Sequence, residues 1–329
     1  MAGRAPRAPL GMSATDRFLS LAPVSMYSLS TCWNSHRHTD GRAMLREIRD
    51  LGFEHAELSH GVRISLLPGI LEAVGAGEIK ISSLHNFCPL PMGVEHAAPN
   101  IFKFSSENPR ERENAFKHTQ KTLELADRLK APLVVLHLGC IDMKDYTDKL
   151  IDLAGDGKKG TPKYDKLCEE LTYRREEKKE LYIQNALEML RRLVEVAEPR
   201  GLKLGIENRE ALEEIPLESD LPFLFLEFAS PSVVYWHDTG HAQIKENLGF
   251  IHHAMHLESL RDRLYGFHLH DVQFPARDHR APGAGMIDFA ALKPMVKTEH
   301  LKVFELSPSL SPEEVKQGVA HLKAIWGEE

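Results

Sequence analysis

The sequence predicts an α/β fold closed into a single (β/α)8 barrel, and three observations carry that prediction. Eight short apolar, β-branched-rich runs can be picked out, each followed by a stretch of helical periodicity. No G-x-G-x-x-G or G-x-x-x-x-G-K-[ST] follows the first run, which removes the usual reason to expect an open nucleotide-binding sheet and a nucleotide cofactor. Glu207, Asp238, His270 and Glu305 close four consecutive runs 31, 32 and 35 residues apart, the length of one strand plus one helix. Parallel strands joined by helices point their carboxyl ends the same way, so these four would meet around one mouth.

Residues 1–22 are rich in Arg, Ala and Pro and contain no continuous apolar stretch of the secretory type, so they are expected to be a flexible tail, with Met12 an alternative start. A single barrel domain then runs over 23–329. Its first strand is expected over 24–29, followed by a helix over 42–50. The second covers 53–58 and carries Glu57. The third covers 79–84 and delivers His85, after which 87–110 is a long connection rich in Pro and Asn. A helix over 112–129 shows an apolar stripe at Leu123, Leu125, Ala126 and Leu129, suited to covering a sheet. The fourth strand, 133–138, presents His137. It leads into a strongly charged insertion over 141–179, in which Y-R-R-E-E-K-K-E is expected to be a solvated helix surface. A helix over 180–197 has its stripe at Ala186, Leu187, Met189, Leu190, Leu193 and Val196. The remaining strands cover 202–206, 233–236, 264–269 and 302–306, and the last helix 312–325. Both long segments follow carboxyl ends of strands, so they should stand over the active face as lids or as an oligomer contact.

Composition sets outer limits on function. A chain of 329 residues with 42% hydrophobic and 27% charged residues has the make-up of a globular protein, and no apolar run approaches the roughly 20 residues that span a bilayer. A net charge of -7 and a pI near 6.2 oppose a surface built to neutralise many phosphates, which excludes nucleic acid as the expected partner. Cys32, Cys88, Cys140 and Cys168 form no C-x-x-C pair, so neither a zinc knuckle nor a disulfide framework is indicated, and a cytoplasmic location fits.

The chemistry is expected at the strand ends. An unpaired carboxylate in a barrel mouth is costly to desolvate, so Glu207 in G-I-E-N-R needs a metal or a basic partner. Three acids and an imidazole in step form a divalent metal site: Glu207, Asp238, His270 and Glu305. In W-H-D-T-G-H-A, His241 returns beside Asp238, where it can bind a second metal or contact substrate; the plainer reading makes Asp238 or Thr239 a helix cap over which His241 packs. His237 and His268 are expected to turn the other way and pack against the helices. His85 and His137 are candidate ligands for an additional metal, and Glu57 either faces substrate or engages a neighbouring cation. In D-V-Q-F-P-A-R-D-H-R-A-P-G-A-G-M-I-D-F, Gly283 and Gly285 allow backbone close to a ligand, Asp288 or its neighbour starts a helix, and Asp278, His279 and Arg280, with Arg277, are placed to hold an oxygen-rich substrate.

The motifs I-E-N, H-D-T-G-H, F-H-L-H-D, D-H-x-x-P-G-x-G-x-I-D and the strand-end F-E-L resemble the xylose isomerase-like TIM-barrel superfamily, which holds sugar and sugar-phosphate isomerases and epimerases together with type IV apurinic endonucleases. The resemblance spans essentially residues 24–326. In the epimerase branch it implies metal binding at Glu207, Asp238, His270 and Glu305 and substrate contacts at His241 and His279, although the last position is usually Arg there. In the endonuclease branch it implies further zinc binding through His85, His137, His241 and His279; the Asp that this branch has two residues before the last His is here Arg277, with Asp278 adjacent. The expected function is therefore a metal-dependent isomerase or epimerase of a sugar, inosose or similar polyhydroxy carbonyl compound, with Glu207 and Glu305 as paired base and acid on an enediolate. The alternative is a zinc-dependent phosphodiesterase of the endonuclease type. Mn²⁺, Mg²⁺, Co²⁺ or Zn²⁺ would serve as cofactor, the partner is a small sugar-like molecule, no membrane is involved, and a homo-oligomer is compatible with the sequence.

Overall fold

The computed structural model describes residues 26–94 and 100–327, so the expected tail over 1–22, the head of the first run and residues 95–99 of the first long connection lie outside the described residues. Eight parallel strands form the barrel: β1 (Met26–Ser30), β2 (His55–Leu58), β3 (Lys80–His85), β4 (Leu133–Leu136), β5 (Lys203–Glu207), β6 (Val233–Asp238), β7 (Leu264–Leu269) and β10 (Leu301–Phe304). They close in the order β1-β10-β7-β6-β5-β4-β3-β2, and an antiparallel ribbon of β8 (Asp271–Gln273) and β9 (Arg277–Arg280) rises from the end of β7. Every expected run falls on one of the eight barrel strands.

Outside the barrel lie α1 (Gly41–Asp50), α2 (Leu67–Gly75), α3 (Pro109–Leu129), α4 (Thr147–Gly155), α5 (Pro162–Ala197), α6 (Leu221–Glu227), α7 (Thr239–Leu248), α8 (His253–Ser259), α9 (Phe289–Leu292) and α10 (Pro312–Trp326). Their ends are written in the sequence. Asp40, Asn108, Thr161, Asp238, Asp288 and Ser311 cap six of them by accepting backbone N–H groups of the first turn, and Ser311 completes a reciprocal box with Glu314.

The second long segment is largely helical. Residues 141–179 hold α4 and the first half of α5, a helix of 36 residues that packs on α3 and α4. Y-R-R-E-E-K-K-E lies inside this helix and is mostly exposed, in keeping with a solvated face. Arg175 is the exception: it is buried and donates to Asp220 Oδ2 at 2.6 Å and to the carbonyls of Leu212 and Glu214 at 3.0 Å each.

Alternation along the strands divides the core in two. One set of residues faces the helices; the other, Leu133, Val135, Val234, Trp236, Leu301 and Val303, fills the barrel interior. Trp236 reaches across because residue 266 is glycine: a Cβ there would stand 2.5 Å from its ring. This apolar plug is the floor on which the polar layer at the carboxyl ends rests. No helix among the described residues is long and apolar enough to cross a membrane.

Candidate active site and metal centre

Strand register sets the polar layer. Glu207 pairs with Trp236 across β5 and β6, Asp238 with His268 across β6 and β7, and Ser30 with Glu57 across β1 and β2. Asn208 locks two strand ends together: its Oδ1 accepts from the Asp238 backbone N–H at 2.7 Å and its Nδ2 donates to the Asp238 carbonyl at 3.0 Å.

Ligand atoms of Glu207, Asp238, His268 and Glu305, all buried, lie within 4.8 Å of one another. Three of these are the expected acids. The imidazole is not the expected one. His268 points into the mouth, with Nδ1 at 2.6 Å from Glu207 Oε1 and 3.1 Å from Glu305 Oε2, and Nε2 at 3.1 Å from Glu57 Oε2. The expectation that it packs outward fails because residues two apart on a strand share a face, so His268 and His270 cannot be separated by parity. His237 does point outward, into a buried network with Tyr235 and His253. Glu57 takes the second of its two readings, engaged with His268 and fixed by the Ser83 hydroxyl at 2.8 Å.

His270 is built into a neighbouring group with His279 and Glu305. Its Nδ1 accepts from the His279 backbone N–H at 3.0 Å, and its ring stacks on that of His279 with centroids 4.3 Å apart. A backbone N–H can only donate, so in the neutral ring the proton sits on Nε2, 3.0 Å from Asp238 Oδ2. That nitrogen is spent on Asp238. His268 has the opposite arrangement: Nε2 can donate to Glu57 and leave the Nδ1 lone pair facing three carboxylates, the usual relation between a metal-binding imidazole and its supporting acid.

The plainer reading of His241 holds for the cap, and its ring also reaches the cavity. Asp238 caps α7, accepting from the His241 N–H at 2.7 Å, and the His241 ring still lines the cavity, its Nδ1 donating to the Asn208 carbonyl at 3.0 Å. His85 and His137 stand side by side, ring centroids 4.6 Å apart, with Nε2 atoms 3.8 and 2.5 Å from Glu207 Oε2.

These groups open into a cavity of about 420 Å³. Asp278 and His279 both line it, His279 Nδ1 lying 2.9 Å from Asp278 Oδ2. Arg280, expected beside them, is not among the lining residues. His279 takes a left-handed φ of 51°, which interrupts strand alternation, and Arg280 pairs with Asp271 in the ribbon instead. Gly283 and Gly285 also serve an internal partner, donating N–H groups to Asp271 Oδ2 at 2.9 Å each.

Sequence reasoning missed Arg209 and Glu210. Arg209 is buried, donates to Glu207 Oε2 and His137 Nε2 at 2.7 Å each, and to Glu214 Oε1 at 3.2 Å. Its signal was the I-E-N-R motif itself, since a buried carboxylate calls for a cation close by. Glu210 lines the cavity with His241 and Asp278, and no pattern singled it out.

The electrostatics follow from crowding. Burial alone would raise the Glu207 carboxyl, but His137 and His268 hold it well below the usual range. Asp238 is likewise raised by burial and more than compensated by His241 and His270. Burial pushes His268 down, whereas Glu305, Glu57 and Glu207 lift it well above an ordinary imidazole. For His137, burial and Arg209 lower the ring well below an ordinary imidazole, against the opposing pull of Glu207. His279, lowered by burial, is brought to about 9 by Asp278.

The donor set fits a divalent cation. Buried carboxylates this close repel one another in a low-dielectric mouth, and the one imidazole among them, on releasing its Nδ1 proton, would present a lone pair to the same point. Carboxylates with one imidazole suit Mn²⁺, Mg²⁺, Co²⁺ or Zn²⁺ without choosing among them.

Comparison with known proteins agrees with this architecture. No curated protein sequence matches the chain. Among solved structures, a D-tagatose 3-epimerase-like protein is similar at 18% identity with a TM-score of 0.66, over 92% of this chain and 97% of the other. The 3-keto-D-glucoside 4-epimerase of E. coli is similar at 14% and 0.63, over 91% and 99% of the two chains. A D-psicose 3-epimerase from Clostridium cellulolyticum H10 gives 14% and 0.64, over 92% and 99%. Identities this low establish the shared barrel. Residues 45–325 match the family described as the xylose isomerase-like TIM barrel, and the chain belongs to that family.

Proposed function

We propose that the protein is a divalent-metal-dependent isomerase or epimerase of a sugar, inosose or related polyhydroxy carbonyl compound. The observation that carries this reading is the convergence of Glu207 and Glu305 on one cavity, from strands separated in the barrel by β6 and β7, with Asp238 between them. Similar structures bear the names of sugar epimerases, which agrees with it.

Glu207, Asp238, Glu305 and His268, the last in place of His270, would hold the metal. When bound, the cation polarises a carbonyl and its neighbouring hydroxyl, making the adjacent C–H more acidic. The protein's own groups then move the proton. Glu207 and Glu305 reach the cavity from two sides, so one carboxylate would remove the proton and the other, once protonated, would return one to the enediolate. Glu207 is fixed by Arg209, His137 and His268, whereas Glu305 has only His268 and, at 3.9 Å, His279 as ion-pair partners among the described residues; we assign Glu305 the larger share of proton transfer. His241 and His279 orient substrate hydroxyls. Arg209 keeps Glu207 anionic, and the Trp236 floor keeps water from beneath.

The test is exchange of the substrate C–H with solvent deuterium. Glu207→Gln and Glu305→Gln should each reduce exchange by at least about a hundredfold while leaving the folded far-ultraviolet spectrum unchanged. Full exchange in both variants would refute the mechanism. The groups His85–His137–Glu207 and Glu210–His241–Asp278, each with three ligand atoms within 4.8 Å of one another, favour the zinc phosphodiesterase alternative. Two or three zinc ions per chain and cleavage of abasic DNA would establish that alternative.

A further inference from the structure

We infer that this site takes an uncharged polyhydroxy substrate and discriminates against phosphorylated or carboxylated analogues, with Glu210 and Asp278 as specificity residues; the inference rests on the isomerase reading above. Apart from a bound metal, a protein holds an anionic group chiefly in three ways: backbone N–H groups gathered by a glycine-rich loop, the amino end of a helix, or an uncommitted Lys or Arg. In (β/α)8 barrels the first two commonly occur in the loops after the last strands. This chain has the frame for each, and in each the place of the anion is taken by one of its own carboxylates.

The glycine-rich loop after the ribbon is filled by Asp271. Its Oδ2 accepts from Gly283 and Gly285 at 2.9 Å each, and its Oδ1 from Val272 at 2.8 Å and Ile287 at 3.0 Å. The fit is close enough that a Cβ at residue 285 would stand 2.4 Å from Asp271 Oδ1. The amino end of α7, which faces the cavity, is capped by Asp238. The guanidinium of Arg209 is committed to Glu207 and Glu214, and His279 faces Asp278. No lysine is among the described residues that line the cavity.

What the rim offers instead is hydrogen-bond acceptors. Ligand atoms of Glu210, His241 and Asp278 lie within 4.8 Å of one another. In the neutral His241 ring the Asn208 carbonyl takes the Nδ1 proton, which leaves Nε2 as an acceptor beside the two carboxylates. Sugar hydroxyls can donate to all three. A phosphate or carboxylate brought there would meet two like charges at short range, and the nearest cation, His279, is already paired with Asp278; like-charge contact of this kind is strongly unfavourable in other interfaces.

The experiment compares the intact, metal-loaded enzyme on a panel of free ketoses and inososes with their monophosphates, and adds inorganic phosphate at millimolar concentration as a competitor. The expected result is turnover of at least one free compound with kcat/KM about a hundredfold or more above its phosphate, and no competition by phosphate. In the Glu210→Gln, Asp278→Asn double variant this ratio should shrink by about tenfold, measured as a ratio so that a general loss of activity cancels. Equal or preferred turnover of a phosphorylated compound overturns the inference and leaves the isomerase reading standing. A ratio unchanged in the double variant overturns the role given to the rim acids. Absence of turnover of every carbonyl compound, free or phosphorylated, overturns both the isomerase reading and the inference.

Discussion

Gly240→Ala should disable the site without replacing any ionisable group. A Cβ added at residue 240 would lie 2.0 Å from Cε1 of His270, 2.5 Å from Nδ1 and 2.9 Å from Nε2. None of these distances is tolerable, and the ring has no room to retreat: it is fully buried, stacked on His279 and joined to Asp238 at 3.0 Å. Either His270 swings out, breaking its contacts to Asp238 and the His279 N–H, or the start of α7 moves and carries the Asp238 cap with it. Overpacking of this kind costs about 1–3 kcal/mol in stability. A displacement of roughly 1 Å in a group that positions substrate or ligand lowers rate by about 10²-fold. Thermal unfolding and steady-state kinetics on the same preparation separate the two effects. A Gly240→Ala enzyme with unchanged kcat, KM and Tm would refute the claim that the His270–Asp238 contact fixes the rim.

Two further perturbations probe the frame. Arg175→Ala leaves Asp220 buried without its guanidinium partner and should cost about 3–5 kcal/mol, read as the shift in a urea unfolding midpoint, whereas the Arg175→Met, Asp220→Leu double variant should recover most of that loss; equal destabilisation of both would contradict it. Glu214, raised by burial but brought from an ordinary 4.5 down to about 2 by Arg209, has a folded value below its unfolded one, so its contribution to stability is present above pH 4.5 and is lost as pH falls through about 2. Glu214→Gln should therefore flatten the acid side of the stability profile over that window, and an identical wild-type slope would sink the assignment.

The barrel was legible because its signals are repeated. Eight apolar runs, each followed by a helical stripe, leave few other ways to bury the chain, and strand-end acids at a regular interval locate the mouth. Position along a strand does not name every partner, however. Parity predicts that His268 and His270 share a face, and only packing shows that His270 is held by the His279 backbone while His268 lies among the carboxylates. Glu57 contributes a buried charge whose partner, His268, comes from a distant strand, a relation no local pattern encodes. The front half of α5 was hidden for another reason. Its buried residues Tyr164, Leu171, Arg175 and Tyr182 make a narrow stripe that includes a charged member, so the charge run conceals the helix contact. Asp271 shows how a correct local reading can miss the purpose: the glycines do permit close approach, but to a carboxylate of the same chain.

Anomalous diffraction from crystals soaked in Mn²⁺ tests the central claim most directly. The account predicts one strong peak at about 2.0–2.2 Å from carboxylate oxygens of Glu207, Asp238 and Glu305 and from Nδ1 of His268. A map with no peak at that point, or with the ion held away from all three acids, would contradict it.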